Sequence, residues 1–374
     1  MFKYFSSLKV ILLKIKANLS RFQIFFSLFN VGNKNKKIVY VVENTNWSTR
    51  RDGENITKEL NFLGRNSVVD FRSSLHRNAV IHFGSSGVFN LLFNKRKKTN
   101  KYVVTFFHGD PDGNNPNHLR SFQKLRENIS RIDAVVYSTS IMHKRFIQQG
   151  IPKEKLHYIP IGYDPSKFFS IKPHERNVKR KAFNIPEDSL VIGSFQKDDV
   201  GWEGDTPKYE KGPDIFIEVI KKINQVSRVF VVLSGPSRGY VKKRLEEESI
   251  DYVHNYYEEP DKVADLYRIL DLYLITSREE GGPKAVVESM ASGIPLVSTK
   301  VGMANDIIEK SDCGIVCQID DIASLASASL KIHQDHDLKK RFSINGIKNS
   351  KPYTWSRIAE SCDELYSEIL KLKV

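Results

Sequence analysis

Glu280 and Glu288 flank the turn Gly281-Gly282-Pro283-Lys284-Ala285, with seven residues between the two acids. Gly281 and Gly282 carry no side chains, so the backbone there can come close to an anion. Around Lys284 and Ala285 the free N–H groups of a first helical turn would point at that anion, and the helix dipole favours negative charge there. Such a turn suits a bound diphosphate. Carboxylates beside a phosphate repel it unless they face something else, and neutral sugar hydroxyls are their natural partners. Glu288 would then hold a ribose, and Glu280 the sugar carried on the diphosphate. The plainer reading is a surface helix bearing two exposed glutamates.

The surrounding elements decide between these readings. Leu272–Thr276 is an apolar run that reads as a buried parallel strand. Pro283 sits where a helix takes its first residue. That helix runs through Glu288 and Met290 and stops at Gly293, and Pro295 opens another strand, Leu296–Thr299. A strand–turn–helix–strand unit puts the turn at the carboxyl edge of a sheet, where open α/β folds bind ligands. The context favours the anion site.

Read together, EGGPKAVVE and the following SMASGIPLV resemble the signature of the retaining glycosyltransferases of family four, the glycosyl transferases of group 1. The resemblance implies an α/β chain in the GT-B fold, two Rossmann-like domains facing each other across a cleft. It is strong in the second half and weak in the first. In this family a Lys-Gly pair and an arginine after the preceding strand cradle the phosphates. Lys211-Gly212 matches the pair, whereas Lys197 is the nearest cation where the arginine is expected. His108, closing the apolar run before Gly109-Asp110, matches a histidine that lies over the donor sugar, with Asp110 placed to orient it or meet the acceptor. The segment Lys155–Phe168 resembles the passage between domains, with Ile161 in place of the usual asparagine. Backbone near Tyr256 and Tyr257 would meet the base, and Val301-Gly302-Met303 would close the donor pocket. The first loop, glycine-rich in the family, reads NTNWSTRRDG here, so Trp47, Arg50 and Arg51 are exposed loop residues with a weak claim to an acceptor.

The implied division is an arm over 1–36, an acceptor domain over 37–170, a nucleotide-sugar domain over 171–355 and a final helix over 356–374 that crosses back to the first domain. Strands are expected at Ile38–Glu43, Ser67–Phe71, Val80–Phe83, Tyr102–Phe106, Ala134–Ser138, Val191–Phe195, Val229–Ser234 and Val253–Tyr257. Helices are expected at Glu54–Leu63, Ile215–Asn224 and Asp261–Leu270. Arg176–Lys181 has the composition of a basic linker.

A chain of 374 residues has room for two domains. Its formal net charge of +14 is concentrated at the start, where Lys3, Lys9, Lys14, Lys16, Arg21, Lys34, Lys36 and Lys37 precede the first acid, Glu43. Phe2, Phe5, Leu8, Leu12, Ile15, Leu19, Phe22, Phe26 and Phe29 recur among them every three or four residues, which reads as a basic amphipathic helix. Its longest apolar run is too short to span a bilayer, and no cleavage site makes it a signal peptide. It fits an anionic membrane surface or a helix docked on its own domain equally well, with Lys95, Arg96, Lys97, Lys98 and Lys101 extending the basic face. No nucleic-acid motif accompanies it, and no nucleic-acid partner is expected. Cys313, Cys317 and Cys362 form neither a disulfide framework nor a zinc site, which points to a reducing, cytoplasmic compartment, at the inner face of the membrane if the arm binds there. Gly84-Ser85-Ser86-Gly87 is one residue too short for a nucleophile elbow.

The resemblance implies a retaining transfer from a nucleoside-diphosphate sugar to a hydroxyl of a glycan or lipid-linked acceptor. Lys211, Lys197 and the N–H groups near Gly282–Ala285 would hold the leaving diphosphate in place of Mg²⁺, with no metal and no further cofactor. The competing readings are an epimerase or phosphorylase on the same fold, and a non-catalytic membrane-associated binding protein.

Overall fold

The computed structural model describes residues 37–44, 48–93, 97–200, 204–257 and 259–371. The amphipathic arm, Trp47, Lys95 and Arg96 lie outside them. Twelve strands follow from short β-branched and aromatic runs: β1 (Ile38–Val41), β2 (Ser67–Val69), β3 (Val80–Phe83), β4 (Lys101–Phe106), β5 (Ala134–Tyr137), β6 (Leu156–Tyr158), β7 (Leu190–Ser194), β8 (Val229–Ser234), β9 (Tyr252–Asn255), β10 (Leu272–Ile275), β11 (Leu296–Thr299) and β12 (Gly314–Cys317). They form two six-stranded sheets, ordered β2-β1-β3-β4-β5-β6 and β12-β11-β10-β7-β8-β9, and every pairing is parallel. Such strands are covered on both faces, which is why β8 reads VFVVLS and is buried throughout.

The helices of the first sheet are α1 (Ser48–Phe62), α2 (Ser86–Leu92), α3 (Pro116–Asn128) and α4 (Ser140–Gln148). Those that follow are α5 (Pro173–Ala182), α6 (Pro213–Asn224), α7 (Gly239–Glu247), α8 (Val263–Tyr267), α9 (Ala285–Ala291), α10 (Gly302–Ile307), α11 (Ile322–Gln334), α12 (His336–Ser350) and α13 (Trp355–Lys371). α13 lies against the first sheet's layer. Asp363 and Ser367 take the Arg65 guanidinium, and the Tyr366 hydroxyl is 2.6 Å from Nδ1 of buried His82 on β3. Tyr163 and Thr354 form a parallel bridge where the chain passes between the two halves. Among the described residues no helix is long and apolar enough to cross a membrane.

Three expectations change. α1 begins at Ser48, so Arg50 and Arg51 are helical and not part of an exposed loop. A tertiary contact explains the early start, because Asp52 is only 4% exposed and pairs with Lys284 of the second half. The basic stretch 176–181 is the body of α5 and not a linker. It is held by Arg180, whose Nε donates to the Ile269 carbonyl at 2.8 Å and whose Nη2 lies 2.9 Å from Asp271. The segment before α5 also contains a strand, β6, pairing with β5.

Candidate active site

In the second sheet the strand order reverses between β7 and β10, and in open α/β sheets a crevice forms at the carboxyl ends there. Gln196 follows β7, Ser277 and Glu280 follow β10, and Lys211 is brought to the same place by Gly212. Gly212 has φ +61°, and a Cβ on it would lie 1.9 Å from the Thr276 carbonyl oxygen. The Thr276 hydroxyl donates to the Gly212 carbonyl at 2.8 Å, so the backbone there is pinned to the end of β10. Only glycine allows this approach.

Lys211 Nζ then sits 2.7 Å from Glu280 Oε1. Ser277 Oγ is 3.1 Å from the same oxygen and 3.3 Å from Gln196 Oε1, while Gln196 Nε2 donates to the Lys211 carbonyl at 2.8 Å. The four side chains hold one another at the switch point. Arg278 braces the turn with a fork onto Asp214 at the start of α6, 2.9 and 2.7 Å, and Nε bonds Asp320 at 2.8 Å.

His108, after β4 of the first sheet, faces this cluster across the cleft. Its ring is exposed to the cleft, yet the surrounding protein lowers its pKa. The nearby charges of Lys211 and His118 lower it further, and Glu280 and Glu279 act in the opposite direction. The imidazole is therefore neutral near pH 7 and can donate or accept a hydrogen bond. His118 on α3 packs beside it, with ring centroids 5.4 Å apart.

A second group surrounds Glu288. Its carboxylate accepts from the Tyr267 hydroxyl at 2.9 Å, and burial raises its pKa against the lowering pull of Lys284, Tyr267 and Arg51. The Lys284 ammonium pairs with Asp52 and lies 5.7 Å from the Trp355 ring. Burial likewise raises Asp52, with Lys284 opposing. Lys284 thus directs its charge to the first half of the molecule.

The turn itself departs from expectation in two respects. Ala285 is the first residue of α9 and Lys284 its N-cap, so Pro283 precedes the helix. The Val286 N–H closes a tight turn on the Pro283 carbonyl at 2.9 Å before regular helix begins. The two glycines also have a second reason to be there. A Cβ on Gly281 would meet the Phe107 carbonyl oxygen at 2.5 Å, and one on Gly282 would meet Ile161 at 2.4 Å. Protein approaches both from that side, so they permit the halves of the cleft to touch.

Lys197 is half-buried in the loop after β7. An arginine does reach that strand end, from a place the sequence does not advertise. Arg238, 2% exposed and beyond β8, donates to the Ser194 carbonyl at 2.8 Å and pairs with Asp198 at 2.6 Å. Burial pushes Asp198 up to about 7, with Arg238 pulling down and Asp199 adding to the rise. Asp199 accepts from the Gly239 and Tyr240 N–H groups at 2.8 and 2.9 Å, tying the loop to the start of α7. Arg238 is spent on the loop's own structure. Asp110-Pro111-Asp112 carries an Asp-x-Asp spacing. There the Asp112 N–H donates to Asp110 at 3.1 Å, and no group of three or more His, Cys, Asp or Glu suited to a metal occurs among the described residues.

Residues 206–349 match the family described as glycosyl transferases group 1. The lipopolysaccharide core biosynthesis mannosyltransferase LpsB of Rhizobium meliloti (strain 1021) is 22% identical over 221 residues, 56% of this chain and 60% of that protein. The N-acetyl-alpha-D-glucosaminyl L-malate synthase of Bacillus anthracis is 22% identical over 196 residues, 51% of this chain and 49% of that one. The chain therefore spans about half to three fifths of these relatives. The Anabaena HepE structure in complex with UDP and glucose superposes with a TM-score of 0.72 at 16% identity, covering 89% of this chain and all of that one. Two parallel sheets face each other, and the second carries the matched segment. The chain has the GT-B fold, and its second half carries the segment that matches the group 1 glycosyltransferases, the family its Glu280–Glu288 motif resembles.

Proposed function

We propose that the protein is a retaining, metal-independent glycosyltransferase that moves a sugar from a nucleoside-diphosphate sugar to a hydroxyl of a glycan or lipid-linked acceptor. The observation that carries this reading is the Lys211–Glu280 pair, 2.7 Å apart at the sheet's switch point with His108 opposite. Each member has a better partner in such a donor. The diphosphate takes the Lys211 ammonium, and a sugar hydroxyl takes the Glu280 carboxylate. Neutral His108 hydrogen-bonds the sugar without adding a charge. Glu288, whose carboxylate accepts from the Tyr267 hydroxyl, would hydrogen-bond a ribose.

As the bond from the anomeric carbon to the phosphate oxygen breaks, negative charge grows on the leaving diphosphate, and Lys211 stabilises it most in that state. The acceptor oxygen bonds to the same carbon on the same face, and its proton passes to the departing phosphate. Contact between the two halves excludes the water that would hydrolyse the donor. The relatives named as a lipopolysaccharide core biosynthesis mannosyltransferase and an N-acetyl-alpha-D-glucosaminyl L-malate synthase support sugar transfer, and cell-surface polysaccharide or lipopolysaccharide assembly at the cytoplasmic face of the membrane is the setting we infer. The basic, aromatic arm would hold the enzyme to anionic lipid there.

A thermal-shift screen of UDP- and GDP-sugars tests the reading, since a ligand bound only by the native state raises its Tm. We expect one nucleotide class to stabilise the protein and to release its diphosphate when acceptor is added. Absence of any shift and any release across the panel contradicts the proposal.

A further inference from the structure

His108 and Glu280 come from different halves of the molecule, so their separation is set by whatever spans the cleft beside them. One side chain does this directly. Arg145 on α4 donates from Nη1 to the Gly109 carbonyl at 2.9 Å, immediately after His108, and the same nitrogen lies 3.2 Å from Glu279 Oε1, immediately before Glu280. Its Nη2 is 3.5 Å from Asp110 Oδ2. The planar guanidinium presents several donors in a fixed fork, so it fixes geometry where a lysine would not.

Two further contacts make this a strut and not a chance pair. At the start of α4 the Ser140 N–H and hydroxyl both donate to Asp306 of α10, at 2.6 and 2.5 Å. α10 in turn holds the Glu280 turn, since the Met303 N–H donates to the Gly281 carbonyl at 3.2 Å. On the other side the Asp110 N–H donates to His118 Nδ1 at 3.2 Å, which fixes the His108 loop against α3.

We propose that Arg145 is a positioning residue, tying the His108 loop to the Glu280 turn so that both reach the same sugar. The inference rests on the proposed transferase reading of those two groups. Partly exposed ion pairs contribute little to stability. A misplacement of about 1 Å in an active site, by contrast, costs up to about 100-fold in rate.

The test measures Tm, kcat and donor KM for wild type, Arg145→Ala, Arg145→Lys, Glu279→Gln and the Arg145→Ala/Glu279→Gln double variant, scoring UDP or GDP release from the nucleotide sugar the wild type uses. We expect Arg145→Ala to lower kcat about tenfold or more, donor KM to stay within about twofold, and Tm to move by only a few degrees. Arg145→Lys should recover little, Glu279→Gln should lose part of the same activity, and the double variant should be no worse than Arg145→Ala. Unchanged kcat in Arg145→Ala, independent multiplication of the two losses, or a loss confined to KM overturns the inference while leaving the transferase reading intact. A wild type that turns over no nucleotide sugar overturns the reading and the inference with it.

Discussion

The two walls of the cleft are built differently. On the second sheet's wall, Lys211, Glu280, Ser277 and Gln196 satisfy one another, and Gly212 locks them to the end of β10. On the first sheet's wall, Asp52, Ser140 and Arg145 each reach across to a partner on the opposite side, Lys284, Asp306 and Glu279. One wall is assembled by its own sheet, and the other is placed by closure. Binding of the donor's nucleotide should therefore depend on the second wall alone, and turnover on both.

The largest effect is expected at the self-contained wall. Lys211→Ala should lower kcat/KM by about 100- to 1,000-fold, the usual loss when one stabilising donor is removed from a charged transition state. Steady-state kinetics on the purified variant would show it, and a loss below about fivefold would break the comparison. Gly212→Ala should cost on the order of 3 kcal/mol of stability, because its Cβ cannot coexist with the Thr276 carbonyl, 1.9 Å away. Urea denaturation should show the drop together with weakened donor binding.

Acid should separate the walls next. Burial holds His82 down to about 3, with Tyr366 and Thr105 at its two ring nitrogens, 2.6 and 2.7 Å away. The unfolded chain binds this proton below the ordinary value of 6.5, so stability is full above that pH and falls as pH drops through it. Between pH 6.5 and about pH 4.5 the loss should be on the order of 2–3 kcal/mol, flattened in His82→Gln. Asp271 under the second sheet responds in the same direction but only at lower pH. Burial alone would raise its pKa, but Lys339 and Arg180 bring it to about 2, so its contribution is lost only as pH falls below the ordinary 3.8. Amide exchange between pH 6.5 and about pH 4.5 should thus loosen β3 and α13 before β7 and β10. The smallest effect belongs to Asp52→Asn, which keeps a polar group but removes the charge facing Lys284. We expect about 1 kcal/mol of stability lost and donor affinity unchanged, read by thermal shift with and without nucleotide sugar.

The same contrast decided what the sequence could reveal. β8, β11 and α6 are apolar runs or amphipathic stretches punctuated by glycine and proline, and their limits follow from local chemistry. Lys211-Gly212 was legible as a pair, although the reason for the glycine, a carbonyl oxygen from β10, is tertiary. The first turns of α1 and the whole of α5 were not legible because STRRDG and PHERNVKRKA are polar by composition and owe their order to Lys284 and Asp271, more than eighty residues away. Arg145 and Arg238 gave no signal at all. Their roles lie in reaching a loop or a strand that is remote in the chain.

Free nucleotide affinity in two variants tests the central claim most directly. If Lys211 and Glu280 hold each other in the absence of a donor, Glu280→Gln frees the ammonium. UDP or GDP should then bind at least as tightly as to wild type by calorimetry, while turnover falls about 100-fold and Lys211→Ala binds the same nucleotide about tenfold more weakly. Equal weakening of nucleotide binding in both variants, or full turnover in Glu280→Gln, would contradict the account.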